Sequence, residues 1–383
     1  MIDPVQLAQA LIRRPSITPD DEGAIGVVAG ALETLGFDTV ALPFAGDGGP
    51  RTENLYARRG ENGPVFCFAG HTDVVPPGDL HFWKHDPFGA VIENGILYGR
   101  GSVDMKSAIA CFVAAVERHL ANGPLKGSIV FLITGDEEGD AINGTPKMLR
   151  WLKDKAITLD HCLIGEPSSS VTVGDGLKIG RRGSLNTRVT VEGVQGHIAW
   201  PGKAKNPVHA LADFVVRLAK TPLDSGTALF DPSTLGFSTF DVGNPTCNLI
   251  PAKATGAFNI RFNDTHSYES LTDHLKAVAK AVSDDTGCVV TLDFSLSGVA
   301  DAVQPGPFMD LLDRAVAGVT GTTPGHDTGG GTSDGRFIKD LCPVVELGLI
   351  NATMHQSNEC VKLADLAQLT DIYTAILDAY FHE

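Results

Sequence analysis

The chain has 383 residues, of which 43% are hydrophobic, so it is long enough to bury a large core and to form two or three domains. Its formal net charge of −16 argues against nucleic acid or an anionic membrane as a partner, because both require a basic surface. No apolar run approaches the length of a membrane-spanning helix, and the N-terminus lacks the basic start of a secretory signal, so we expect a cytoplasmic protein.

The first 180 residues alternate between helix and strand patterns, beginning with predicted helices near residues 4–13 and 22–36. This alternation is typical of an α/β layer with a largely parallel or mixed sheet. Three apolar runs in it end at polar residues: residues 65–70 end at His71, residues 129–134 end near Glu137 and Glu138, and residues 162–165 end at Glu166. Ligands bind at the carboxyl ends of strands in such sheets, so we expect these side chains to share one crevice.

Later segments predict a hairpin, an insertion and a return to the first sheet. Asn94-Gly95 lies between apolar residues and indicates a type I′ turn, and Asp104 precedes a predicted helix over 105–120. From about residue 180 the pattern favours a two-layer α+β domain. We expect a discontinuous domain of residues 1–180 and 297–383 around an insert of residues 181–296. The elements expected in and after the insert are strands 185–191, 257–262 and 289–294, helices 207–219 and 267–284, helices 307–319 and 363–381, and strand 344–347.

Each candidate ligand motif has an ordinary alternative when it is taken alone. His71 and Asp73 can form an imidazole–carboxylate pair that fixes a ligand tautomer, but such a pair is usually structural. Asp104 can be a metal ligand or the N-cap of its helix. Glu137 and Glu138 repel each other unless a cation or a proton relieves them, and a solvated turn explains them equally well.

In order and approximate spacing, and over essentially the whole chain, these motifs together resemble the cocatalytic site of the M20-type metallopeptidase and amidohydrolase family. The matching residues are His71-x-Asp73, Asp104, Glu137-Glu138, Glu166 and His355. The resemblance implies a zinc-peptidase-like catalytic domain, with a mixed sheet flanked by helices, and an inserted ferredoxin-like domain that serves as dimerisation domain and lid.

The same resemblance implies two zinc ions per subunit, bridged by Asp104. One ion takes His71 and Glu166 as its further ligands. The other ion takes Glu138 and His355. Nitrogen and oxygen ligands without a thiolate suit Zn²⁺, with Co²⁺ or Mn²⁺ as substitutes, and the seven scattered cysteines form no CxxC pair.

Two ions in such a site can share one hydroxide, whose charge together with three carboxylates cancels that of the metals. Glu137 then has no metal to bind, and we interpret it as the general base that takes a proton from the bridging water and returns one to the leaving amine. We interpret Asp73 as the residue that orients His71.

Substrate contacts are predicted mainly by resemblance. Arg181, Ser184 and Arg261 match positions that contact substrate in relatives, although solvated arginines are the ordinary alternative. The glycine-rich run 328–336 lacks the spacing of a phosphate-binding loop. By resemblance, His197 reaches the active site of the partner subunit and donates a hydrogen bond to the developing oxyanion, which makes the functional enzyme a homodimer. The remaining substrate candidates are Asn248, Thr332 and Asn351.

Within the family, residues 83–88, 178–185 and 332–338 look most like enzymes that hydrolyse N-succinyl-LL-2,6-diaminopimelate to succinate and LL-2,6-diaminopimelate in lysine and diaminopimelate biosynthesis. The alternatives within the class are an acetylornithine deacetylase, another N-acyl-amino-acid amidohydrolase and a carboxypeptidase. An alternative of another class is a metal-binding scaffold without activity. The presence of both Asp73 and Glu137 argues against the scaffold, because neither is needed merely to hold metal.

Overall fold

The computed structural model describes residues 1–331 and 333–382 of the chain. Its α-helices in these residues are α1 (Pro4–Ile12), α2 (Ala24–Thr34), α3 (Lys106–Ala121), α4 (Thr145–Asp154), α5 (Pro207–Ala219), α6 (Tyr268–Thr286), α7 (Pro307–Thr320), α8 (Gly335–Ile338) and α9 (Leu363–His382). The strands in the same residues are β1 (Asp38–Ala41), β2 (Phe44–Gly46), β3 (Gly49–Thr52), β4 (Asn54–Arg59), β5 (Val65–His71), β6 (Val91–Glu93), β7 (Ile96–Tyr98), β8 (Ser128–Thr134), β9 (His161–Ile164), β10 (Gly176–Lys178), β11 (Gly180–Arg181), β12 (Gly183–Glu192), β13 (Gly196–His197), β14 (Thr234–Asp241), β15 (Leu249–Ile250), β16 (Lys253–Phe262), β17 (Val289–Gly298), β18 (Asp301–Ala302), β19 (Gly325–Asp327), β20 (Val344–Glu346) and β21 (Cys360–Lys362).

The chain divides into two compact units. The larger unit contains Met1–Ile179, Val303–Asp327 and the described residues from Gly331 onward. The smaller unit contains Gly180–Ala302 and Thr328–Gly330. None of the helices in the described part of the chain combines the length and the apolar character needed to cross a membrane.

The larger unit is built on a mixed eight-stranded sheet in the order β1-β4-β8-β5-β9-β20-β10-β19. At its centre, β8, β5, β9 and β20 run parallel to one another, whereas β1 and β4 add an antiparallel edge. Every residue of β5 and β8 is buried. Central strands covered on both faces require such continuous apolar sequences, which explains why these two runs stand out in the sequence.

Helices α3 and α9 pack together over this sheet. The first eleven residues of α3 are all buried, because the helix lies between its neighbours rather than at the surface. The rings of Phe68 in β5 and Phe112 in α3 stack with centroids 4.1 Å apart, and Tyr373 of α9 meets Phe112 edge-on at 5.3 Å. Truncating one such ring to alanine costs about 3–5 kcal/mol, so this aromatic cluster holds α3 firmly against the strands that lead into the site.

The smaller unit is a four-stranded antiparallel sheet in the order β14-β16-β12-β17, packed against α5 and α6. Alternate residues of β16 are buried, as expected when only one face of a sheet is covered. In chain order the elements follow the βαββαβ pattern of a ferredoxin-like unit. Phe214 of α5 and Phe258 of β16 lie in its core, with ring centroids 6.1 Å apart.

The expected fold class, a mixed sheet flanked by helices together with a two-layer α+β unit, is confirmed. The predicted hairpin forms β6 and β7, and Asn94 and Gly95 both have positive φ angles, 52° and 77°, as a type I′ turn requires. The predicted α-helices agree with α1, α2, α3, α5, α6, α7 and α9 to within two residues at each end. Whether the smaller unit forms a dimer or a lid stays a prediction.

Candidate metal centre

Three neighbouring parallel strands deliver three predicted site segments to one edge of the sheet. β5 ends at His71, which lies opposite Thr134, the last residue of β8. The turn after β8 contains Glu137 and Glu138, and Glu166 follows β9 by two residues. Because β8, β5 and β9 are adjacent and parallel, their carboxyl ends bring these side chains together.

Asp104 lies at the centre of the resulting cluster. Its Oδ1 is 3.2 Å from Nε2 of His71, and its Oδ2 is 3.2 Å from Nε2 of His355. The alternative that Asp104 caps α3 is wrong, because Met105 occupies the N-cap position and no side chain caps the helix. Each carboxylate oxygen therefore faces a different histidine, as a carboxylate shared between two cations would.

Each histidine also has a second carboxylate beside it. Nε2 of His71 is 3.5 Å from Oε1 of Glu166, and Nε2 of His355 is 2.9 Å from Oε1 of Glu138. One oxygen or nitrogen atom each of His71, Glu137 and Glu166 lie within 4.8 Å of one another. The structure thus brings the five predicted ligands and Glu137 into one cluster.

This cluster fits divalent cations on two counts. In tetrahedral zinc sites with ligand distances of about 2.0–2.2 Å, two ligand atoms are about 3.3–3.6 Å apart, which is close to the separations found here. Without a cation the carboxylates repel one another: burial and the charge of Asp104 raise the pKa of Glu166 to about 8, and burial and the charge of Glu166 raise the pKa of Glu137 well above its usual value. A positive charge within the cluster would relieve both effects.

Asp73 supports His71 in a different way from the one expected. Nδ1 of His71 is 2.9 Å from the backbone carbonyl of Asp73, whereas the nearer carboxylate oxygen is 3.6 Å away. The Asp73 carboxylate instead accepts the backbone N–H groups of Glu137 and Glu138 at 3.2 and 3.0 Å. Asp73 thereby joins the His71 strand end to the turn that carries both glutamates.

Sequence reasoning overlooks three buried charged residues near Asp104, namely Arg100, Lys106 and Glu359. Lys106 donates from Nζ to the carbonyl of Arg14 at 2.7 Å, and burial lowers its pKa to about 7. A signal for Lys106 was present: it lies three residues before Ile109 on the apolar face of α3, where an unpaired lysine would not be tolerated. No comparable pattern marks Arg100 or Glu359.

Three of the predicted substrate residues and His197, the predicted oxyanion donor, lie in two pairs within the smaller unit. Ser184 in β12 and Arg261 in β16 are direct cross-strand partners, so their side chains share one face of the sheet. Asn248 accepts a backbone hydrogen bond from Ile198, the residue after His197, at 3.0 Å. Both His197 and Asn248 are exposed.

The other three substrate candidates are placed separately. Arg181 lies in β11, opposite Asp301 of β18. Asn351 belongs to the larger unit, where it begins a 3₁₀ turn and donates its backbone N–H to Ser169 at 3.0 Å. Thr332 lies outside the described residues.

Comparison with known proteins identifies close relatives of the whole chain. It is 51% identical to the succinyl-diaminopimelate desuccinylase of Maricaulis maris (strain MCS10), an alignment that covers 100% of this chain and 97% of that relative. It is 52% identical to the protein of the same name from Rhodospirillum centenum (strain ATCC 51521 / SW), over 99% of this chain and 97% of the relative.

Solved structures share the fold at much lower identity. The aminopeptidase PepT of Bacillus cereus ATCC 10987 superposes with a TM-score of 0.79 at 20% identity, covering 98% of this chain and 97% of the other. The Bacillus subtilis YXEP protein, described as a dinuclear metal-binding peptidase of the M20 family, superposes with a TM-score of 0.72 at 13% identity, covering 99% of this chain and 98% of the other. The model of peptidase family M20/M25/M40 matches residues 67–379, and the chain belongs to this family.

Proposed function

We propose that this protein hydrolyses N-succinyl-LL-2,6-diaminopimelate to succinate and LL-2,6-diaminopimelate with two zinc ions per subunit. The observation that carries the proposal is the position of Asp104, whose two oxygens each lie 3.2 Å from a different histidine. The substrate is taken from the names of relatives that are about half identical over nearly the full chain.

The predicted metal ligands divide into two sets around Asp104. His71 and Glu166 would hold one ion, and Glu138 and His355 the other, with Co²⁺ or Mn²⁺ as substitutes for zinc. When bound, two such ions polarise the scissile carbonyl and lower the pKa of a water molecule toward neutrality.

Glu137 is the proposed general base. It is half-buried beside the cluster, and its neighbour Glu138 is the residue that pairs with His355. The Glu137 carboxylate accepts a proton from the attacking water, and the remaining hydroxyl forms the new bond to the acyl carbon. As the carbon–nitrogen bond breaks, Glu137 returns the proton to the amine nitrogen.

Arginines of the smaller unit are proposed to bind the carboxylates of the substrate. The substrate carries three: one on the succinyl group and two on the diaminopimelate part. Arg261, with Ser184 opposite it, and Arg181 supply guanidinium groups that can bind carboxylates bidentately. Asn248, Thr332 and Asn351 are the proposed neutral contacts.

His197 is proposed to donate a hydrogen bond to the developing oxyanion in the active site of the partner subunit. Its Nδ1 lies 3.1 Å from the backbone nitrogen of Ala199, which donates to it. An imidazole that accepts at Nδ1 carries its proton at Nε2 when it is neutral. The exposed edge of the ring is therefore a hydrogen-bond donor, which is the property that the oxyanion role requires.

A substrate comparison tests the proposal. Protein stripped of metal with a chelator and reloaded with Zn²⁺ is assayed with N-succinyl-LL-2,6-diaminopimelate, N-acetylornithine and a hippuryl peptide. We expect the succinylated substrate to have the highest kcat/KM, and the stripped protein to be inactive. Preference for either other substrate would overturn the named reaction, and hydrolysis by the stripped protein would overturn the metal mechanism.

A further inference from the structure

Glu359 is a fully buried carboxylate, and within the described residues its side-chain hydrogen bonds go to residues 100–104, the turn that ends at Asp104. Its Oε1 accepts the backbone N–H groups of Val103 and Asp104 at 2.8 and 3.1 Å. Its Oε2 accepts the backbone N–H of Gly101 at 3.1 Å and Nη1 of Arg100 at 2.8 Å. Each carboxylate oxygen thus accepts two hydrogen bonds, and all four donors belong to residues 100–104.

Arg100, only 2% exposed, connects this carboxylate to the turn that carries His355. Its Nη1 also donates to the carbonyl of Gln356 at 3.2 Å, and its Nη2 donates to the carbonyl of His355 at 3.4 Å. The indole ring of Trp83 covers the guanidinium at 5.2 Å. Arg100 therefore links the Glu359 carboxylate to the backbone of the His355 turn.

The His355 turn needs such support. His355 has a φ angle of 60°, in the left-handed region that residues with a side chain seldom adopt. Residues in such conformations are strained and persist when their surroundings hold them. Arg100 donates to the carbonyls of His355 and of the next residue, and Nη2 also donates to the carbonyl of Pro76 at 3.4 Å.

An ordinary stabilising ion pair does not explain this pattern. Buried ion pairs contribute little to stability because desolvation offsets their attraction. Here the contacts of Glu359 include the backbone N–H of Asp104, and those of Arg100 include the backbone carbonyl of His355. These are the two residues whose side chains meet at 3.2 Å in the cluster.

We propose that Arg100 and Glu359 form a positioning pair that sets the relative placement of Asp104 and His355 for metal binding. The pair touches neither substrate nor metal and acts through the backbone of two ligands. This inference rests on the proposed function, because it requires Asp104 and His355 to be metal ligands.

Glu359→Gln tests the proposal with little change of volume. In the variant, the NH₂ group of the amide replaces one carboxylate oxygen and therefore faces backbone N–H groups that donate to that oxygen in the unaltered protein. The substitution also removes the negative charge opposite Arg100. Loss of a group that supports metal ligands typically weakens metal affinity about 10- to 100-fold. We expect that loss in chelator competition for Zn²⁺, together with altered visible absorption bands of the Co²⁺-loaded protein.

Asp224→Asn is the matched control. Asp224 lies in the smaller unit, and its carboxylate also accepts several donors, including the backbone N–H groups of Gly226 and Ser233 at 2.8 and 3.1 Å. We expect the same carboxylate-to-amide change there to lower the melting temperature without changing metal affinity or the Co²⁺ spectrum.

The outcomes separate this inference from the proposed function. If the unaltered protein binds no pair of metal ions, the proposed function fails. If the unaltered protein binds two ions and Glu359→Gln binds them with unchanged affinity and spectrum, the positioning role alone is refuted. If Glu359→Gln does not fold, Arg100→Lys serves as the second test, because lysine keeps the positive charge but lacks the forked donors of arginine. Zn²⁺ affinity and the Co²⁺ spectrum of that variant then decide whether the pair has a positioning role.

Discussion

The metal-ligand cluster of the larger unit and the predicted substrate contacts of the smaller unit are built differently. Asp104 and His71 are buried, Glu138 and Glu166 are half-buried and His355 is exposed, and the buried carboxylates of Glu359 and Asp73 accept backbone N–H groups of the ligand segments. In contrast, His197 and Asn248 are exposed, and Arg261 is half-buried. Ligands whose backbone is fixed by buried carboxylates suit a function that tolerates no displacement, whereas exposed groups can differ between enzymes that share the same chemistry. Substitutions in the first region should therefore affect metal binding or kcat, and those at the arginines should affect mainly KM.

Glu137→Gln should have the largest effect among variants that keep their metals. The amide cannot accept the proton of the attacking water, so we expect kcat to fall on the order of 10²- to 10⁴-fold. Metal analysis should still find two ions per chain. Asp140→Asn, an exposed carboxylate of the same turn, should stay within about twofold of the unaltered protein. Near-normal turnover of Glu137→Gln would show that Glu137 is not the general base.

His197→Ala should lower kcat by about 10²- to 10³-fold, the usual effect of losing one oxyanion donor. Metal content should not change, because the exposed ring belongs to the smaller unit. This variant sharpens the comparison, because His197 is an exposed residue of the smaller unit that is nevertheless expected to act on kcat. Unchanged kinetics would refute the role.

Co-expression of His197→Ala with Glu137→Gln tests whether the histidine serves the partner subunit. In a mixed dimer, one active site would combine an intact Glu137 with an intact His197 from the other chain. Random pairing in a twofold dimer should then restore about a quarter of the unaltered activity, although each variant alone is nearly inactive. Absence of any recovery would mean that His197 does not act across subunits.

Arg261→Lys should have a smaller effect, and on a different parameter. The lysine keeps the charge but loses bidentate binding of a carboxylate, so we expect kcat/KM to fall about 10- to 100-fold, mostly through KM. Arg188→Lys, an exposed arginine on the neighbouring strand β12, is the matched control and should change neither constant. A fall in kcat at constant KM would contradict the recognition role of Arg261.

The ligands on strand ends could be predicted because each follows an apolar run and parallel strands end at one edge. His71, Glu138 and Glu166 all share this signal. Helix α4 is absent from the predicted elements, although Pro146 in its first turn and the buried residues Met148 and Leu152 are ordinary helix signals. Strand β1, at the edge of the sheet, is also short and mostly exposed.

The support of the ligands could not be predicted, because it depends on contacts between distant parts of the chain. Arg100 and Glu359 are 259 positions apart, and most of the donors to Glu359 are backbone groups, which leave no trace in residue type. The same reason explains the Asp73 contacts. Its spacing from His71 suggested a side-chain bond, but the turn after β8 supplies two N–H groups that take the carboxylate instead.

Metal titration of the stripped protein tests the central claim most directly. Calorimetry with Zn²⁺, followed by assay of the same samples with N-succinyl-LL-2,6-diaminopimelate, should give two bound ions per chain and activity only after metal is added. Asp104→Ala, which removes the carboxylate between the two histidines, should weaken both equivalents together. Hydrolysis by protein without bound metal, or an Asp104→Ala variant that binds both ions normally, would contradict a shared two-metal centre.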